Sequence, residues 1–393
     1  MPLTHSQKKS PKSQEILMSN IAGIKLDRRT FVRGSLMLGA ASPFLLSACS
    51  SEKSDTGGSS AAGNGGTINW LTWSDHYSND QLAKVASSTK ITGNPKLFSD
   101  NADAFLQLKQ TGSQFDIVSA DALWVKKYME SGLIEPFDLS SIDASSQLYS
   151  MAKSFDFLND PKGAIGYPFS WSTVQIYYNP AKVKTPPTSW DSLTDPQYKG
   201  LIVAENIPTD LMAIAGIATG SKSPYAQAPD QISSASNFLG SLKPNIIKLA
   251  SQNNEIISMM ASGEAAIGIS NLGTDIRVKN AGGPDLQAAY PPEGTIGFID
   301  SEMITAKGNN QSLVKPFLNA MQRSEFIVEN FTTNWRPLFN EKAAKALTSD
   351  PKTADAAKRL FMDNPDKALT MTLKGPAQDQ QAYTEAFNRV FGA

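Results

Sequence analysis

From Thr67 onward the hydrophobic and polar positions fall into two alternating patterns. Apolar runs of strand length occur at 68–71, 115–118, 174–178, 201–204 and 266–269. Between them the apolar spacing shifts to the helical period. Phe105 and Leu108 share one face of a segment that Asn101 is placed to cap and Gly112 to close. Leu123, Trp124, Val125 and Tyr128 follow Asp121 as a cap and end at Gly132, and Ile256, Ile257, Met259 and Met260 run up to Gly263. Strands alternating with helices predict an α/β body with largely parallel sheets. After Gln311 the pattern is mainly helical, and neither an internal repeat nor a second linker interrupts it.

The first 66 residues break the pattern. Lys25, Arg28, Arg29 and Arg33 precede an uncharged run from Gly34 to Ser51 that contains Gly39 and Pro43. The run only reaches the lower limit for a bilayer span and is poor in Leu, Ile, Phe and Val, so a signal peptide over 1–49 fits better. Arg28 and Arg29 before Thr30-Phe31 resemble a twin-arginine export signal, with Asp27 where Ser or Thr is usual. Leu46-Ser47-Ala48-Cys49 resembles a lipobox, which makes Cys49 the expected lipidation site. The bland alternative is a plain secretory signal with an accidental cysteine. Cys49 is the only cysteine in 393 residues, so no internal disulfide can form and stability must come from packing. Residues 50–66 read SSEKSDTGGSSAAGNGG, a Gly/Ser linker with a reach of roughly 20–25 Å. With acylated Cys49 it would form a leash at a membrane face.

Charge narrows the partners. Net charge is −1 overall. Residues 1–49 hold 7 Lys/Arg and 2 Asp/Glu, which leaves 29 basic against 35 acidic residues for the rest. A body with net −6 lacks the basic stripe that nucleic acid requires. Catalytic readings are thin. His76 is the one histidine beyond the leader, so a His/Cys metal site is excluded and a Ser-His-Asp site would have to use it. GISNLG (268–273) has one residue too many for a nucleophile elbow, and GIATGSKS (216–223) is out of register for a phosphate loop. Both read as turns, and no cofactor is implied. No spacing pairs two carboxylates for acid/base work, although an all-carboxylate site stays open.

Several stretches, in order, resemble the spermidine/putrescine-binding proteins of bacterial ABC importers. They are LTWSDHYSND (71–80), QFDIVSADALWVKKYMESGLIEPFDLSSI (114–142), GYPFSWSTVQIYYNP (166–180) and TSWDSLTDPQYKGLIVAEN (188–206). GEAAIGISNLG (263–273), YPPEGTIGFIDSEMITAKGNN (290–310) and NWRPLFNEKAAKAL (334–347) continue the series. The resemblance covers nearly all of 67–347. It implies a two-lobed periplasmic binding protein fold, with a central mixed sheet in each lobe and an interlobe ligand cleft. Lobe 1 is expected at 67–172 plus 299–345 and lobe 2 at 173–298 plus 346–393. In such a site aromatic faces hold methylene chains and carboxylates hold ammonium groups, because a buried ammonium needs an anionic or π-face partner.

By motif position, Trp73 matches the family's first aromatic and Asp300 its amine-binding carboxylate, with Phe298 where tryptophan is usual. His76 stands for a tyrosine, Asn206 and Thr209 for two acids, Asn271 for a tryptophan and Arg336 for an aromatic. Glu205 and Asp210 flank the Asn206 and Thr209 positions. Plain core packing, a loop cap or a surface ion pair are the alternative roles for these residues. Arg336 is the wrong charge for a diamine and suits a carboxylate. Two ligand classes are therefore expected, a polyamine or a zwitterionic amine held between Asp300 and Arg336.

The expected function is a lipid-anchored extracytoplasmic solute-binding protein, a monomer, delivering an amine solute to the transmembrane subunits of an ABC permease. A carboxylate-dependent lyase or glycosidase on the same body, and a sensor that presents ligand to a receptor, are the alternatives.

Overall fold

The computed structural model of the protein describes residues 65–366 and 371–392. The expected export signal, Cys49 and most of the linker lie outside the described residues. Twelve strands occur among the described residues: β1 Gly66–Thr72, β2 Ile91–Leu97, β3 Ile117–Asp121, β4 Asn159–Asp160, β5 Gly163–Ala164, β6 Tyr167–Tyr178, β7 Ile202–Glu205, β8 Ile246–Ala250, β9 Ile267–Asn271, β10 Gln287–Ala289, β11 Ile296–Ile304 and β12 Thr372–Leu373. Each of the five apolar runs coincides with one of them. The pattern passes over two edge strands: β2, whose positions are mostly polar and exposed, and β8, which reads Ile-Ile-Lys-Leu-Ala but leaves Ile247 and Lys248 exposed.

The main sheet runs β2-β1-β3-β11-β6-β9-β7-β8, with β10 on β6 and β12 on β11. β1 pairs in parallel with β2 and β3, and β7 with β8 and β9. β11 and β6 run antiparallel to each other and to their outer neighbours β3 and β9. The sheet is therefore mixed rather than largely parallel, and two long antiparallel strands join its parallel halves. β6 pairs with β11 over its first half and with β9 over its second, so one strand belongs to both halves.

Each half has its own apolar core. One gathers Ile68, Trp70, Val118, Tyr128, Phe317 and their neighbours. The other gathers Trp190, Ile202, Met212, Leu239 and Tyr383. Burying side chains of this size contributes about 1.5–3 kcal/mol each. A third cluster of Phe169, Leu272, Phe331, Leu338 and Leu360 packs the helices after Ser324 behind the crossing strands.

The helix caps set the ends that face the space between the halves. Helix Asn101–Thr111 is capped by Asp100, whose carboxylate accepts from the Asp103 amide at 2.8 Å, and not by Asn101. Asp100 is the residue with extended backbone, which an N-cap needs. The Asn101 side chain instead accepts from the Asp121 amide at 3.0 Å. Helix Ala122–Glu130 begins at Asp121, as the pattern predicts, but the Asp121 carboxylate makes no capping bond. Helix Asn253–Ser262 ends on Gly263 at φ 77°, a left-handed conformation that glycine adopts without strain.

Candidate functional site

The parallel strands of both halves point their C-terminal ends toward one another, the position where open α/β sheets bind ligands. A cavity of about 250 Å³ lies there, below the roughly 300–1,000 Å³ that drug-sized ligands occupy. Its aromatic walls are Trp73, Trp124 and Phe298. Trp73 is half-buried and packs edge-on against Phe98, with ring centroids 4.3 Å apart.

Alternation along β11 places Phe298, Asp300 and Glu302 on one face. Asp300 is 1 % exposed and ion-pairs with Arg336, itself 4 % exposed. Arg336 also pairs with Asp75 at 2.8 Å. The carboxylates that meet this guanidinium thus belong to the chain itself. Arg336 follows Trp335, which holds a left-handed φ of 48°. Gly273 makes room for that turn, since a Cβ there would stand 2.1 Å from the Trp335 carbonyl oxygen.

His76 lies behind the cavity rather than on its wall. Its Nε2 is 3.1 Å from Asp300 and its Nδ1 2.7 Å from Glu302. Glu302 also accepts from Trp70 Nε1 at 2.9 Å and from the Ser119 hydroxyl at 2.7 Å. Burial opposes a charged imidazole, but Asp300 and Glu302 outweigh it and hold His76 up at about 9. His76 is therefore an internal cation at neutral pH. Burial would raise the Asp300 carboxyl, yet Arg336 and His76 hold it well below the usual carboxylate range.

Asp121 is the cross-strand partner of Asp300 in the β3–β11 register, and its position is the reverse. Burial and then the neighbouring Asp300 charge push its carboxyl well above the ordinary value. Glu205, at the end of β7, is also raised, first by desolvation. Neither acid forms an ion pair among the described residues.

On the opposite wall Asp210 accepts from the Tyr225 hydroxyl at 3.0 Å and pairs with Lys374 at 2.7 Å. Lys374 is 7 % exposed. Burial disfavours its charge, but Asp210 and Glu205 more than compensate and raise its proton affinity.

Trp73, Thr209, Asn271, Phe298, Asp300 and Arg336 all line this one cavity. His76 supports it from beneath, and Asn206 is exposed outside it. Sequence reading did not mark Asp75, Asp121, Trp124 and Lys374 as site residues, although it placed Asp121 and Trp124 on a helix. Asp75 sits inside the stretch that carries Trp73, and Asp121 reads as a helix cap, a role that hides a site residue. Lys374 lies past every stretch that carried a motif.

The lining holds six carboxylates (Asp75, Asp100, Asp121, Glu205, Asp210 and Asp300) against two cations, Arg336 and Lys374. Helix starts at 101, 122, 208, 253 and 380 also lie at the lining, each worth roughly half a positive charge. With the acids ionised, the formal balance of the lining stays negative. Among the described residues no group of three or more His, Cys, Asp or Glu side chains is arranged to hold a metal ion, and no helix is long and apolar enough to cross a membrane.

Comparison with known proteins agrees with this architecture. The chain is 24 % identical over 277 residues to the putrescine-binding periplasmic protein PotF of Escherichia coli K12, covering 66 % of this chain and 74 % of that protein. It is 26 % identical over 289 residues to the spermidine/putrescine-binding periplasmic protein of the same organism, covering 72 % and 80 %. A solved Listeria monocytogenes structure, described as a spermidine/putrescine ABC transporter, superposes with a TM-score of 0.74 at 21 % identity, over 83 % of this chain and 98 % of that one. The two Escherichia coli relatives are named as binding proteins and not as enzymes, and the enzyme alternative is set aside. Residues 113–358, well over half of the chain, match the family profile, and the protein belongs to the bacterial extracellular solute-binding proteins.

Proposed function

We propose that this protein captures a small amine-containing solute for an ABC importer and seats the ammonium of that solute against Asp121 and Glu205. One observation carries the reading: Asp121, buried at the cavity, and Glu205, at the end of β7, form no ion pair among the described residues although both lie in the field of Lys374, whereas Asp75, Asp210, Asp300, Arg336 and Lys374 are all paired. An unpaired buried carboxylate is costly, and a ligand cation relieves that cost. Trp73, Trp124 and Phe298 supply π faces, each worth about 0.5–2 kcal/mol to a cation placed over it. Asp300 and Arg336 act in this reading as one neutral pair that shapes the floor. The halves close over the solute about β6 and β11, as in hinged binding proteins.

The export and lipobox motifs support capture outside the cytoplasm by a protein tethered at Cys49. The linker lets the tethered body reach a permease nearby and raises its local concentration there. The protein acts as a monomer with its permease, and the membrane is reached through the lipid on Cys49.

A thermal-shift panel of monoamines, diamines, polyamines and amino acids at millimolar concentration tests the ligand class. A ligand at a hundred times its Kd adds about 2.7 kcal/mol and raises Tm. A panel in which no amine moves Tm overturns the reading.

A further inference from the structure

Two cations of the chain already stand where an amine would be held. The Arg336 guanidinium lies 5.6 Å from the Phe298 ring centroid and the Lys374 ammonium 5.1 Å from the same ring. Each is met by carboxylates, Arg336 by Asp75 and Asp300, and Lys374 by Asp210. An acid together with an aromatic face is the environment that offsets the desolvation of a positively charged nitrogen. The cavity thus comes with two positive charges installed about one ring.

Lys374 reaches this place through a specific backbone arrangement. β12 pairs in parallel with β11, Leu373 opposite Gly297. The Lys374 amide donates to the Gly297 carbonyl at 2.7 Å. Gly297 permits the approach, since a Cβ there would stand 2.0 Å from Met371 Sδ and 2.4 Å from the Ser172 carbonyl oxygen. Lys374 also lies beyond the residues that match the family profile.

What remains open to a ligand is different in kind. Asp121 and Glu205 are lining acids with neither an ion pair nor a capping bond among the described residues, whereas Asp100, also without an ion pair, is used as a helix cap. Arg336 Nε, Trp73 Nε1, Asp300 Oδ1 and Asn271 Oδ1 are buried polar atoms without a hydrogen-bond partner, and all four residues line the cavity. Two are donors and two are acceptors, which suits uncharged polar groups.

We infer that Lys374, with Arg336, determines specificity by taking the places a second ammonium would need, so that the cleft selects an amine with a single ammonium group over diamines and polyamines. The inference rests on the amine reading of the cleft. A diamine drawn into the cavity would bring its second ammonium beside Lys374 and Arg336, which already occupy the Phe298 ring and the acids around it, and like charges at those places act as a rejecting element even where the lining as a whole is acidic.

Calorimetric titration of the whole protein with n-butylamine and 1,4-diaminobutane tests this, since the probes differ by one ammonium on the same carbon chain. Wild type prefers butylamine by about tenfold or more. Lys374→Met keeps the stem and removes the charge, and it moves the preference about tenfold or more toward the diamine. Lys374→Arg keeps the wild-type preference. Melting curves establish that each variant is folded. If Lys374→Met fails to fold because Asp210 is left unpaired, the wild-type and Lys374→Arg ratios decide. A wild type that prefers the diamine overturns the inference while leaving the amine reading intact, as does a folded Lys374→Met with an unchanged ratio. Failure of both probes and of every other amine to bind wild type overturns both.

Discussion

Asp300 on β11 and Asp121 on β3 are direct cross-strand partners, both buried, and their carboxyls are displaced from the ordinary value in opposite directions. On the Asp300 side, Arg336 and His76 surround the acid, and Glu302, Trp70 and Ser119 complete the network. On the Asp121 side there is no ion-pair partner among the described residues; after burial, the Asp300 charge and a hydrogen bond to it favour the protonated acid, and Lys374 only partly opposes them. Burial is common to both, so compensation decides the outcome. One side is a finished piece of structure. The other is left incomplete in a way that a cation completes.

Breaking the finished side has the largest expected effect. Asp300→Ala leaves Arg336 and His76 buried without their shared partner, and urea denaturation shows a loss of about 3–5 kcal/mol. A loss under about 1 kcal/mol would mean that the network is not desolvated as described.

The next test uses pH. His76 is raised in the folded protein from 6.5 to about 9. Its stabilisation is fully present below pH 6.5 and is lost as pH rises through about 9, on the order of 3 kcal/mol. The stability difference between wild type and His76→Gln therefore shrinks across that window. A difference that stays constant would show that His76 is not charged between its two acids.

The smallest energetic effect falls on the unfinished side. Asp121→Asn leaves the stability of the empty protein within about 1 kcal/mol, because no ion pair is lost. It weakens amine binding about 10- to 100-fold, the worth of a hydrogen bond to a charged group. In wild type the proton on Asp121 competes with the amine, so affinity falls on acidification through the raised Asp121 range, and the variant removes that contribution. The empty wild type behaves in the complementary way: a carboxyl raised on folding contributes stability that declines as pH rises. Equal amine affinity in wild type and variant would move the site away from β3.

Much of the fold was legible because local patterns agreed with the tertiary result. The apolar runs marked both halves of the sheet, and Gly263 closed its helix as the spacing predicts. β6 carried its family likeness in a run that spans both halves. The antiparallel crossing was less legible, because an apolar run records burial and not strand direction. Trp73, Phe298, Asp300 and Arg336 were found by motif position, and they do share one cavity. Their partners were not predictable from it. Asp75 and Asp300 reach Arg336 from different parts of the chain, and Asp121 looks like a helix cap until β11 is laid beside it.

The sequence by itself determined the alternation of strands and helices, the excess of acid over base in the body and the candidate residues for a cleft. Those properties are local or additive, and a linear chain displays them directly. Only the tertiary structure decided which acids are neutralised. That depends on which of two cations, 36 and 164 positions away along the chain from Asp300 and Asp210, folds against which carboxylate. Sequence distance carries no record of such pairings, whereas the energy of a buried charge depends almost wholly on the few ångströms to its nearest opposite.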